Sequence, residues 1–306
     1  MIKNRNIKQL AAMLCAAVLA SCAAPIPERV SAGSESVTTA VSMPVNVSYS
    51  SLLAEAQADN SLKLAYGNEP LQFGRLYLPP ETTTAAATPL LVFIHGGCWL
   101  NAYDMVHSTA FSQAVAKAGI AVWSLEYRRS GDAGGGWPGS LDDVLAGLAF
   151  ARQNLATLVP GVTLDQHNIV LAGHSAGGQL ALLAGAQQQG AQRNAVRGVI
   201  GLAAITNLLT YAQGGNSCQR ATTQFMAGTP QQWPGRYLLA SPAMQPAPAK
   251  SLLLQGSNDS IVPVDQASDS GMPYRLVEEA GHFDWIHPQT KAYTQFLATL
   301  MELVAQ

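Results

Sequence analysis

A chain of 306 residues is long enough for one α/β domain of roughly 250 residues plus an appendage, with a sizeable buried core. Seventeen Lys and Arg stand against nineteen Asp and Glu, a formal charge of -2 with the cations scattered, which excludes the electrostatic footprint of a nucleic-acid binder. No Cys/His/Asp grouping has metal-ligand spacing and no glycine run is left over for a phosphate loop, so no metal or other cofactor is expected.

Lys3, Arg5 and Lys8 precede an uncharged run from Leu10 to Ala20 that exits through Ser21, Cys22, Ala23 and Ala24. That is the layout of a secretory signal, and the run is too short to span a bilayer of roughly 30 Å. Leu19-Ala20-Ser21-Cys22 resembles a bacterial lipobox. The resemblance implies cleavage after residue 21, lipidation of Cys22, and a cell-envelope address anchored in a membrane, by default the outer membrane facing the periplasm. Residues 22–48, rich in Ser, Thr, Ala, Val and Pro without periodicity, read as a flexible tether, and the folded domain is expected over 49–306. In an exported chain Cys98 and Cys218 are candidates for a disulfide, although spacing alone does not fix their separation.

Gln72–Leu78 and Leu90–His95 read as strands, the second almost wholly apolar as a strand covered on both faces would be. Ser108–Lys117 has helical apolar spacing and stops at Gly119, and Ile120–Glu126 is the next strand. Leu141–Leu158 reads as helix, Ile169–Ala172 as strand and Gln179–Gln188 as helix. Val199–Ala204, Ser251–Gln255 and Tyr274–Val277 supply further strands, and Tyr293, Phe296, Leu297, Leu300 and Val304 mark a last amphipathic helix. This alternation predicts an α/β domain with a mostly parallel sheet flanked by helices. Residues 207–248 break the rhythm with Gly214-Gly215, Trp233-Pro234 and further prolines, and are expected to form a small lid over a site at the strand ends.

Three separated pieces carry chemistry: Phe93-Ile94-His95-Gly96-Gly97-Cys98-Trp99, Gly173-His174-Ser175-Ala176-Gly177, and Gly281-His282-Phe283-Asp284. With Glu126-Tyr127-Arg128, they resemble the α/β-hydrolase superfamily, in particular its carboxylesterase and kynurenine-formamidase-like branch with a His-Gly-Gly-x-Trp loop. The resemblance covers nearly all of the chain after about Tyr49. It implies a nucleophile at Ser175, whose strand-before, helix-after setting with small flanking residues is what a nucleophile elbow needs. A serine hydroxyl is a poor nucleophile without a base and a group that orients the base. His282, after the last strand, stands where the base belongs. The orienting carboxylate is assigned to Asp259, with Asp265 and Asp284 as rivals. Main-chain N–H groups of Gly97, Cys98 and Ala176 are the implied oxyanion hole, with Cys98 departing from the lipase-like His-Gly-Gly-Gly pattern. Cys98 as nucleophile is the weaker alternative because Ser175 has the better housing.

Trp99 and Trp137 are candidates for the substrate pocket, with plain packing as their alternative. Glu126 and Arg128 are expected to pair beneath the site, and Asp142 and Asp143 to favour a helix dipole. The implied activity is hydrolysis of a small-molecule carboxylic ester through a Ser-His-Asp triad and an acyl-enzyme. The alternatives are an amidase, either arylformamidase-like or a small peptidase, and a non-catalytic lipoprotein binding module.

Overall fold

The computed structural model describes residues 42–306 apart from 56–57, 81–86, 160, 189–195, 249 and 306. The signal-peptide and Cys22 expectations, and most of the tether, lie outside the described residues.

Eight strands form one sheet: β1 Leu62–Ala65, β2 Phe73–Tyr77, β3 Thr88–Ile94, β4 Ala121–Leu125, β5 Leu164–His174, β6 Val196–Leu202, β7 Ser251–Gly256 and β8 Tyr274–Val277. Their spatial order is β1-β2-β4-β3-β5-β6-β7-β8. β2 runs antiparallel to β1 and β4, and every other pairing is parallel. Period-two alternation divides each central strand between two cores. Leu90, Val92 and Ile94 of β3 enter one cluster with Leu171 and Leu180, and Leu91 and Phe93 enter the other with Phe111, Val170 and Phe296. Helices therefore cover both faces, as the sequence pattern predicts.

Ten α-helices are present among the described residues: α1 Tyr49–Glu55, α2 Thr109–Lys117, α3 Gly139–Gln153, α4 Leu155–Leu158, α5 Ala176–Ala186, α6 Leu208–Tyr211, α7 Ser217–Phe225, α8 Pro234–Ala240, α9 Asp265–Ser268 and α10 Lys291–Val304. The stretch expected as a lid lies between β6 and β7 and carries α6, α7 and α8. Its proline- and glycine-rich composition concealed three short helices, two of them capped by asparagines, Asn207 and Asn216. α7 starts with a capping box in which Asn216 and Gln219 satisfy each other's amides. Ordered structure also begins ahead of the expected boundary at Tyr49. The Asn46 and Val47 amides both donate to the Asp284 carboxylate, at 2.7 Å each, which fixes two residues of the stretch expected to be tether.

Candidate active site

Ser175 stands alone between the end of β5 and the start of α5 with φ 55° and ψ -119°. A non-glycine residue in that region carries strain of roughly 1–3 kcal/mol, which persists only if its surroundings dictate it. They do so here. The Ser175 amide donates to the Leu202 carbonyl of β6 at 2.8 Å. A Cβ on Gly173 would stand 2.1 Å from the Gly177 carbonyl oxygen, and one on Gly177 would stand 2.2 Å from that of Ile94, so the strand–helix approach admits only glycine at both places. The Ser175 hydroxyl is buried without a hydrogen-bond partner among the described residues. In enzyme sites generally, hydrogen bonds between reacting side chains are often long or absent without a substrate and tighten only around one.

His282 donates through Nδ1 to Oδ2 of Asp259 at 2.8 Å, with the carboxylate fully buried and the imidazole nearly so. Oδ1 of Asp259 accepts the amides of Ile261 and Val262 at 2.9 and 2.8 Å, so the carboxylate cannot swing away from the ring. The other two carboxylates lie elsewhere or are engaged elsewhere. Asp265 is exposed at the start of α9. Asp284 spends both oxygens on main-chain amides, those of Asn46, Val47 and Gly281.

The elbow and the histidine loop are joined by His174, whose Nε2 donates to the His282 carbonyl at 2.9 Å and whose ring lies 4.6 Å from that of His282. Burial, and then the neighbouring His282, hold His174 well below the usual histidine range, so its ring is neutral and structural. Its side chain engages His282 and leaves Ser175 alone.

The glycine loop turns through three consecutive left-handed residues, Gly97 at φ 111°, Cys98 at 53° and Trp99 at 57°. For the two non-glycine residues this costs roughly 1–2 kcal/mol apiece. One helix, α7, braces both. Cys218, in the first turn of α7, forms a disulfide with Cys98, and Phe225, at its end, stacks on Trp99 with ring centroids 4.7 Å apart. Seven residues separate Cys218 from Phe225, two helical turns, which puts both on one face. The Trp99 indole also donates to Gln179 of α5 at 3.0 Å. Among the described residues no acceptor receives the Gly97 or Cys98 amide, and the Ala176 amide heads α5, where helix N–H groups lack partners of their own. All three expected donors are therefore available.

Beneath the loop, His95 places Nδ1 against the Gly96 carbonyl at 2.7 Å and Nε2 against Glu126 at 3.0 Å. Glu126 also accepts the Met105 and Tyr127 amides and pairs with Arg129. Burial pushes the Glu126 carboxyl up, but His95, Arg129 and the Tyr127 amide outweigh it and hold it below the ordinary range. The expected Glu126–Arg128 pair is not made. Arg128 forms a two-pronged bond with Asp143, at 2.8 and 2.7 Å, and Asp143 is thereby more than a helix-dipole residue.

A cavity of about 220 Å³ opens beside His282, lined by Tyr49, Tyr103, Phe283, Ile261 and the Cys98–Cys218 region. Neither of the two tryptophans offered as pocket candidates lines it, and for Trp99 the packing alternative is what the structure shows. Trp99 is completely buried because its left-handed backbone turns the indole inward onto Phe225 and Gln179. Trp137 lines a different cavity, between α3 and the end of α8. Of the residues that line this cavity, Gly97, Cys98, Cys218 and His282 had been singled out in the sequence and Phe283 had its adjacency to His282, whereas Tyr49, Tyr103 and Ile261 carried no signal there. No group of three or more His, Cys, Asp or Glu side chains among the described residues is arranged to hold a metal ion.

A family model described as BD-FAE matches residues 75–270. The esterase LipC of Mycobacterium tuberculosis is 32% identical over 123 residues, 40% of this chain and 29% of that protein. Ethyl acetate hydrolase of Pseudomonas putida is 26% identical over 223 residues, 68% of this chain and 65% of the relative. Each match thus spans less than two thirds of the relative's own length. Among solved structures, a truncated carbohydrate esterase from gut microbiota superposes with a TM-score of 0.66 at 21% identity, over 81% of this chain and 97% of that one. Esterase B from Lactobacillus rhamnosis does so with 0.68 at 19%, over 84% and 91%. At such identities the likeness concerns the fold, which is that of the α/β hydrolases.

Proposed function

Because the chain belongs to the BD-FAE family and folds as an α/β hydrolase, we propose that it hydrolyses carboxylic esters with Ser175 as nucleophile, His282 as base and Asp259 as the group that orients the base. The observation that carries this reading is the buried 2.8 Å Asp259–His282 bond, joined through His174 to a serine in a strained strand-to-helix turn. Names of the relatives, esterase and ethyl acetate hydrolase, agree with it.

In this scheme Ser175 Oγ attacks the ester carbonyl carbon while its proton passes to Nε2 of His282. Asp259 stays ionised, keeps the proton on Nδ1 and stabilises the imidazolium. The oxyanion of the tetrahedral intermediate accepts N–H bonds from Gly97, Cys98 and Ala176, a contribution typically worth about 3 kcal/mol for one donor. Collapse expels the alcohol, which leaves with the His282 proton. Water, deprotonated by His282, then attacks the acyl-enzyme and releases the acid. A cavity of about 220 Å³ falls below the roughly 300–1,000 Å³ of sites for drug-sized ligands, which favours a small acyl or alcohol group.

The test is kcat/KM on p-nitrophenyl esters from acetate to decanoate, against N-formylkynurenine and a dipeptide anilide. The reading expects turnover concentrated in the short esters. Preference for either amide would overturn it in favour of an amidase. Export and lipidation at Cys22 belong to the same proposal. A Cys22→Ala variant is expected to lose its acyl mass and leave the membrane fraction.

A further inference from the structure

We infer that the segment from Asn46 to Tyr49 is a wall of the ester site and that Tyr49 sets the upper size of the group accepted beside His282, an inference that rests on the ester-hydrolase reading above. Three independent features make this segment part of the site.

The first is its attachment. Asn46 takes a left-handed turn, φ 50°, so that its own amide and that of Val47 converge on the two oxygens of one carboxylate, Asp284, at 2.7 Å each. Consecutive main-chain amides gathered on one anion form a rigid nest, and bonds to a charged acceptor are worth about twice neutral ones. Asp284 lies two residues after His282 and also takes the Gly281 amide at 3.0 Å, so segment and histidine loop share one clip. A second attachment follows at the far end of α1, where Glu55 accepts Gln289 at 2.8 Å. Leu52, between the two, is fully buried.

The second is shape. A Cβ on Gly281 would stand 2.2 Å from the Asn46 side-chain oxygen and 2.9 Å from the Asn46 Cα. The residue directly before His282 therefore has no room for a side chain, because the segment runs across it.

The third is where the segment ends. The Tyr49 ring packs edge-on against Tyr103 and Phe283, at 5.6 and 5.7 Å, and lies 5.5 Å from the His107 ring. It lines the 220 Å³ cavity together with Cys98 and His282. Tyr49 is thus anchored by the clip on one side and by α1 on the other, with its ring bounding the space next to the base.

The experiment is the ratio of kcat/KM for p-nitrophenyl octanoate to that for the acetate, in the full processed chain. It is measured on wild type, Tyr49→Ala, Tyr49→Phe and Asp284→Ala, each checked by circular dichroism. Removing the ring is expected to raise the ratio about tenfold, the scale on which pocket size discriminates alkyl groups. Asp284→Ala, which releases the segment, moves the ratio in the same direction, and Tyr49→Phe, which keeps the ring, holds the wild-type ratio. Ratios within twofold of wild type in folded Tyr49→Ala and Asp284→Ala overturn the inference while leaving the esterase intact. Absence of ester turnover in wild type overturns the functional reading itself.

Discussion

Removal of the Cys98–Cys218 bridge separates two effects that the structure predicts together. The bridge closes a stretch of 120 residues. In the chain-entropy account such a loop corresponds to about 5 kcal/mol of stabilisation through the unfolded state, with typical measured values of about 2–4. Near-complete loss lowers Tm by about 10 °C for a domain of this size. The second effect is local. Cys98 and Trp99 hold left-handed backbones whose combined cost is roughly 2–4 kcal/mol, and α7 restrains both, by the bridge and by the Phe225–Trp99 stack. Cutting the bridge frees Cys98, whose amide is an assigned oxyanion donor, while the stack still holds Trp99. The result expected for Cys218→Ala is therefore a loss in kcat of about tenfold or more with little change in KM, because an oxyanion donor acts in the transition state. Phe225→Ala attacks the same brace from its other end and lowers kcat in the same way. The assays are calorimetry for stability and p-nitrophenyl acetate hydrolysis at temperatures where each variant is folded, with wild type under a reducing agent as a third sample. A Cys218→Ala protein that is less stable yet retains wild-type kcat would refute the brace, reducing the bridge to a chain-entropy device.

Ser175→Ala is expected to lower turnover by about three orders of magnitude or more with Tm unchanged or raised, since the hydroxyl has no partner to lose. Asp259→Asn is expected to cost roughly 10³–10⁴ in kcat by favouring the wrong His282 tautomer, while Asp265→Asn, at the surface, stays within twofold. Stability should fall in acid. Burial, and then His95, push His107 down to about 3, and His174 is held low in the same way. Above the unfolded histidine value of about 6.5 neither state binds a proton there, and no effect is present. Below it the unfolded chain takes up protons that the native fold refuses, so stability declines by about 1.4 kcal/mol per pH unit for each of the two. Urea denaturation between pH 7.5 and 5 measures the slope, and a folded His107→Gln variant with an unchanged slope would remove His107 from this account.

Much of the architecture was legible because it is written in apolar periodicity. The Leu90–Ile94 run could only be a strand covered on both faces, and its alternating side chains do enter two cores. β5 began earlier than expected, at Leu164, because its polar start, Asp165 to Asn168, lies before the strand dives between the helices. β1 escaped notice since only Leu64 of its four residues is even half-buried. The nucleophile turn was legible for a different reason: only glycines tolerate the approach distances at positions 173 and 177, so sterics had already fixed the sequence there. The pocket was not. From its place in the loop Trp99 could equally line a pocket or pack inward, and the positive φ that sends its indole into the core is invisible in the sequence. The Asn46–Asp284 clip was equally hidden, since its donors are main-chain amides that any residue type possesses.

In the proposed triad Ser175 is a nucleophile poised by His282 and Asp259. The most direct test is labelling of the folded protein with a fluorophosphonate, followed by peptide mapping. One adduct per chain is expected, on Ser175, formed at a rate that collapses in His282→Ala. Unimpaired ester turnover with no adduct on Ser175, or with the adduct on another residue, would contradict it.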